Sequence, residues 1–267
     1  TIRHFHGLCS DFCKEAGIGF YPEGDSQEFW RYKAPDRFMQ ALDKIEKRYD
    51  AIVVDEGQDF YPEWWLPLEL LNKEGDKGPL YVFYDPEQNL FVKDDLSTPD
   101  LGVPYELPTN CRNTKHIAEV CSKVKGIEIR VRSDAPDGVE CKIQIAESED
   151  KQMGLCTKWI SEWIGKGGLK TSQVVILGAH AKSHSSLKDA SAIGKYPITQ
   201  HLGHWESDKG ILYASIRSFK GLEADAVIMI DIPEPDSIPN FTRSDFYVGC
   251  SRAKHLLVIL GNSPYVI

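Results

Sequence analysis

Short runs of Val, Ile and Leu alternate with amphipathic stretches along this 267-residue chain, and that alternation restricts the fold more than any other feature. The runs are IRHF (2–5), AIVV (51–54), LYVFY (80–84), KIQIA (142–146), VVILG (174–178), ILYAS (211–215), AVIMI (226–230) and LLVIL (256–260). Helical patterns lie between them at 35–48, where Pro35 suits a first turn, and at 62–72, 113–125, 150–164 and 241–253. Continuous apolar strands separated by helices predict parallel sheets covered on both faces, an α/β fold. The loop DDLSTPDLGVP (94–104) combines Pro, Gly and charge, and a boundary near it divides the chain into units at 1–106 and 107–267.

Charge supports the division. Residues 1–110 hold 11 Lys+Arg against 22 Asp+Glu, whereas residues 111–267 hold 20 against 18. A polyanion is therefore expected to be gripped mainly by the second unit. Seven cysteines at 9, 13, 111, 121, 141, 156 and 250 form no framework spacing, which favours free thiols and a cytoplasmic setting over a secreted disulfide scaffold. No apolar run approaches the ~20 residues a membrane span requires. Residue 1 is Thr with no leader pattern after it, so the chain is expected to begin inside a longer one.

The run IVVDEGQDFYP (52–62) stops abruptly at Asp55 and Glu56. A strand ending in paired carboxylates suits magnesium binding and activation of a water, chemistry that also needs a phosphate-cradling loop. The nearest approach to G-x-x-x-x-G-K-[ST] is GKGGLKTS (165–172). Leu169 stands where the glycine before the lysine is required, and a strand follows the stretch where a helix should begin. It is expected to terminate a helix. The groups His4, His6, Cys9, Cys13 and His180, His184, His201, His204 suggest zinc weakly, and a helix burying Cys9 and Cys13 one turn apart explains the first group.

An ordered set of blocks says more than the single pair. After DEGQDF come YDPEQNLF (84–91), LPTNCRNTKHI (107–117), SIRSFKGLEADAVI (215–228) and FYVGCSRAKHLLVI (246–259). In this order they resemble motifs II through VI of the UvrD-like superfamily 1 helicases, and TIRHFHGLC resembles motif Ia. The resemblance covers essentially the whole chain and implies two RecA-like parallel-sheet domains, the first incomplete, with the phosphate loop upstream of Thr1.

It also implies a role for each residue. Asp55 would hold Mg²⁺, and Glu56 would orient and deprotonate the attacking water of ATP hydrolysis. Gln88 would sense the γ-phosphate, while Arg112 and Arg252 would act as arginine fingers, for which a planar charged fork is suited. Glu223 would accept hydrogen bonds from the ribose, with Gly221 allowing close backbone approach. Arg217, Lys220 and Phe91 would contact single-stranded DNA, or RNA. The chain departs from the family pattern at several positions: Cys111 stands where an aromatic commonly stacks on the adenine base, Tyr84 replaces a glycine, Arg217 a common histidine, and no tryptophan follows Phe91, so the nucleotide machinery is better preserved than the strand-contacting machinery. The resulting expectation is the C-terminal portion of an ATP-dependent helicase or translocase, inactive without its upstream segment. The alternatives are a non-catalytic module that kept the fold, and a nucleic-acid-stimulated ATPase that does not unwind.

Overall fold

The computed structural model describes residues 1–22, 26–90, 98–239 and 241–263, so Phe91 lies outside the described residues. The chain divides into two compact units, Thr1–Pro104 and Tyr105–Ile267, and each is an α/β assembly.

In the first unit the expected strand at 2–5 is absent. Helix α1 (Phe5–Glu15) starts there instead, because the His4 imidazole accepts a hydrogen bond from the Gly7 amide and caps the first turn. Phe5, Cys9, Phe12 and Cys13 recur at helical spacing and are buried together. Burial raises the thiol pKa values of both cysteines. A single turn, α2 (Ser26–Glu28), and a π-helical turn (Phe29–Lys33) lead into α3 (Ala34–Leu42), which carries Pro35 in its first turn. The pattern read to residue 48 ends earlier because Arg48 folds back and donates to the carbonyls of Leu42 and Ile45.

Strands β1 (Ile52–Val54) and β2 (Leu80–Val82) pair in parallel, with α4 (Trp65–Leu70) between them in sequence. Val54 packs with Phe5, Phe38, Trp64, Trp65 and Leu68, and Ile52, Leu80 and Val82 join the same face. The Phe5 and Trp64 rings stack with centroids 4.6 Å apart. The other face, where Val53 stands opposite Tyr81, is exposed. Only one face of this pair is covered.

The second unit opens with a short parallel pair, β3 (Thr109–Asn110) and β4 (Arg130–Val131), flanking α5 (Lys115–Lys125), which Gly126 ends in the left-handed conformation. There follow β5 (Lys142–Ile145), α6 (Glu149–Ile160) with its π-helical extension to Lys166, β6 (Val174–Gly178), β7 (Ala192–Ile193), β8 (Tyr196–Thr199), α7 (Leu202–Glu206) and β9 (Ile211–Ser215). The unit is completed by β10 (Ala224–Ile232), α8 (Arg243–Ser251) and β11 (Ala253–Gly261). The sheet order is β5-β11-β10-β6-β9-β8-β7, parallel throughout except for β7 against β8. β6 and most of β10 are buried, as their unbroken Val/Ile/Leu runs require. Residues 165–172 run from the π-helical end into β6, so no helix starts there. All seven cysteines are free, and no helix among the described residues is long and apolar enough to cross a membrane.

Candidate active-site elements

In the first unit, β1 delivers Asp55 and Glu56 at its carboxyl end. Asp55 is exposed, and its Oδ1 accepts from the Glu56 amide at 3.0 Å. Glu56 adopts φ 54° and ψ 43°, a left-handed conformation that non-glycine residues avoid and that concentrates at functional sites. Gly57 follows with its amide on the Phe83 carbonyl, and a Cβ there would lie 2.5 Å from Val82 Cγ1. A glycine is therefore required for β1 to turn so closely beside β2.

Beyond the turn, Gln58 is 1% exposed and bridges two motifs. Its Oε1 accepts from the Asp85 backbone amide at 3.0 Å, and its Nε2 donates to Glu56 Oε2 at 2.5 Å. Asp85 in turn accepts from the Glu87 amide at 2.9 Å and from Gln88 Nε2 at 2.8 Å. Glu56 and Gln88, expected from sequence, are thereby joined through two residues that sequence reasoning did not single out. Gln58 stood inside DEGQDF and Asp85 inside YDPEQNLF, but nothing in either block reveals that they meet.

The exposed Asp55 beside the half-buried Glu56 fits Mg²⁺ by its chemistry, since that ion keeps several waters and takes one or two carboxylates together with phosphate oxygens. Among the described residues no group of three or more His, Cys, Asp or Glu side chains forms a closed metal cage.

In the second unit, β10 and β11 start side by side, with Ala224 opposite Ala253. That register sets Glu223 and Lys254 next to each other, and Glu223 Oε1 lies 2.9 Å from Lys254 Nζ. Arg112 Nε donates to the other oxygen of Glu223, also at 2.9 Å. The hydrogen bond from Lys254, then its charge and that of Arg112, holds the Glu223 carboxyl below its ordinary pKa. Cys111, Arg112, Glu223 and Lys254 line an open depression of about 420 Å³. Gly221, two residues before Glu223, has φ +81°, a conformation that favours glycine.

Arg252 sits differently from an exposed finger. It is 1% exposed, and its guanidinium donates to the Val248 carbonyl at 3.1 Å and to Ser251 Oγ at 3.0 Å. Its burial follows from its place at the end of α8, where it caps carbonyls. Arg217, expected at a nucleic-acid strand, closes its fork on Asp245 at 2.6 and 3.1 Å. Asp245 is 1% exposed and also accepts from the Thr242 amide and hydroxyl in a capping box at the start of α8. The structure thus gives Arg217 an intramolecular carboxylate, which leaves less of its charge for a phosphate. Lys220 follows at the end of the same turn, and a second depression of about 370 Å³ is lined by Tyr213, Ser215, Ser218 and Phe219 nearby.

The fold and these elements define an α/β protein with a parallel-sheet second unit. Residues 211–260, from β9 through β10 and α8 into β11, match the family described as the UvrD-like helicase C-terminal domain. The likeness lies in that segment of the second unit, and Arg217, Gly221, Glu223, Arg252 and Lys254 all fall inside it. No curated protein matches the chain.

Among solved structures, the C-terminal domain of a possible DNA helicase from Lactobacillus plantarun WCFS1 is 17% identical with a TM-score of 0.43, covering 58% of this chain and 91% of that one. The PRRSV helicase is 14% identical with a TM-score of 0.46, covering 83% of this chain and 37% of its own. An arterivirus nonstructural protein 10 helicase, solved with DNA, is 14% identical with a TM-score of 0.43, covering 81% and 41%. The chain spans less than half the length of these two viral helicase chains.

Proposed function

We propose that this chain is part of an ATP-dependent superfamily 1 helicase or translocase that couples ATP hydrolysis to movement on single-stranded nucleic acid. The observation that carries the reading is the Glu56 carboxylate. It is held at a strained turn beside Asp55 and bonded through Gln58 and Asp85 toward Gln88. A carboxylate fixed so firmly at a strand end suits a group that must meet one water in one orientation.

In this reading Glu56 takes a proton from the water as its oxygen bonds to the γ-phosphorus and the bond to the β-phosphate oxygen breaks. Gln88 hydrogen-bonds the γ-phosphate, and Asp55 holds Mg²⁺, which when bound offsets phosphate charge. Arg112, exposed in its ion pair with Glu223, is the candidate cation for the transferring group, and Glu223 and Gly221 are the candidate ribose contacts. Arg252 serves there only if it leaves its backbone carbonyls. Lys220 faces the nucleic-acid strand, and Arg217 joins it only if it releases Asp245.

The test is ATP turnover by the intact protein with Mg²⁺, with and without a single-stranded oligonucleotide. Turnover stimulated by the oligonucleotide is expected. No turnover under either condition would overturn the reading; where turnover is found, a strand-displacement assay separates unwinding from remodelling.

A further inference from the structure

We infer that Gln58 is a positioning residue whose buried side chain ties the carboxylate of Glu56 to the turn that carries Gln88, so that the two groups are oriented as one unit. The inference rests on the function proposed above and goes beyond it, because it assigns the orientation of the reacting groups to a residue that touches neither nucleotide nor water.

The chemistry of the amide fixes its direction. A backbone N–H can only donate, so the side-chain oxygen of Gln58 must face Asp85 N, at 3.0 Å. That leaves the NH₂ group no choice but to face Glu56 Oε2, at 2.5 Å, where it meets an acceptor. The residue is 1% exposed, so water cannot substitute for either partner without opening the core.

On the far side the Asp85 carboxylate is divided between the Glu87 amide at 2.9 Å and the Gln88 side chain at 2.8 Å. Asp85 therefore donates to Gln58 from its backbone and accepts from Gln88 on its side chain. A rotation of the 85–88 turn moves Gln88 and pulls on Glu56 together. Lateral freedom is already small, since Gly57 abuts Val82 and its amide is on the Phe83 carbonyl.

Two variants in the intact protein separate the halves of this tie. Gln58→Met keeps the volume and removes both bonds. Gln58→Glu keeps an oxygen for Asp85 N but sets a like charge against Glu56. Hydrogen exchange at the Asp85 amide is expected to quicken in Gln58→Met and to stay near wild type in Gln58→Glu. Both variants are expected to lower kcat for ATP on the order of 10²-fold, the scale of a small misplacement at a reacting centre, with KM nearly unchanged.

A double-mutant cycle supplies the decisive readout. If Gln58 and Gln88 act as one unit, Gln58→Met combined with Gln88→Ala loses less than the product of the two single losses. Wild-type kcat in folded Gln58→Met, unchanged exchange at Asp85, or losses that simply multiply would each overturn the inference. Absence of turnover in the wild-type protein would instead overturn the function on which it rests, while the exchange measurement would still report on the tie.

Discussion

The side-chain amide of Asn113 donates to the backbone carbonyl of Ala253 at 2.6 Å. The same nitrogen lies 3.2 Å from the Ser251 carbonyl, so the residue after Arg112 grips the chain on both sides of Arg252. Asn113 is buried, and its own oxygen accepts from Asn110 Nδ2 at 2.7 Å. Asn113→Ala leaves these carbonyls without that donor and is expected to cost about 1–3 kcal/mol of stability, read from denaturant unfolding. Stability equal to wild type would show that the 110–113 turn is held by other contacts.

Arg217 and Asp245 join the segment after β9 to the start of α8. Arg217→Ala strips a buried carboxylate of its cationic partner. The expected loss is about 3 kcal/mol, the low end for such pairs because Arg217 is partly exposed and Asp245 keeps its bonds from Thr242. The dependence of log K on log[salt] for a single-stranded oligonucleotide should change little. A slope flatter by ~0.7 without a loss of stability would identify Arg217 as a phosphate contact instead.

Glu223 sets a pH dependence for the Arg112 position. Its folded pKa lies below the ordinary glutamate value, held down first by the hydrogen bond from Lys254. A depressed carboxyl contributes its interaction above the unfolded value and loses it as pH falls through the folded one. The pairing with Arg112 and Lys254 should therefore persist at neutral pH and release only below the ordinary glutamate range. An NMR titration should place the midpoint below that of an unpaired glutamate and move it upward in Lys254→Ala. A midpoint unchanged by that substitution would mean that the ion pair is not formed in solution.

Legibility followed the range of the interactions involved. β6, β10 and β11 were readable because buried parallel strands need unbroken apolar runs, and VVILG, AVIMI and LLVIL supply them. The edge pieces β7 and β8 and the five-residue α7 were not, since none carries a run or a period long enough to register. At 2–5 the local apolar content suggested a strand, but the His4 cap and the spacing of Phe5, Cys9 and Phe12 decide for helix. Asp55, Glu56, Gln88, Arg112 and Glu223 stood in recognisable blocks. Gln58, Asp85, Asn113 and Asp245 gain their importance from partners in other blocks, which no single stretch displays. The burial of Arg252 was equally invisible, because it depends on the Val248 carbonyl of its own helix and on the Leu222 carbonyl from a distant segment.

The most direct test of the account is the rate of Mg²⁺-dependent ATP hydrolysis by the intact protein and by its Glu56→Gln variant, with nucleotide affinity measured in parallel. The account predicts that kcat falls by roughly 10²–10⁴-fold while binding is retained, because the substitution removes the proton acceptor and keeps the shape of the side chain. Turnover in Glu56→Gln equal to wild type would contradict it.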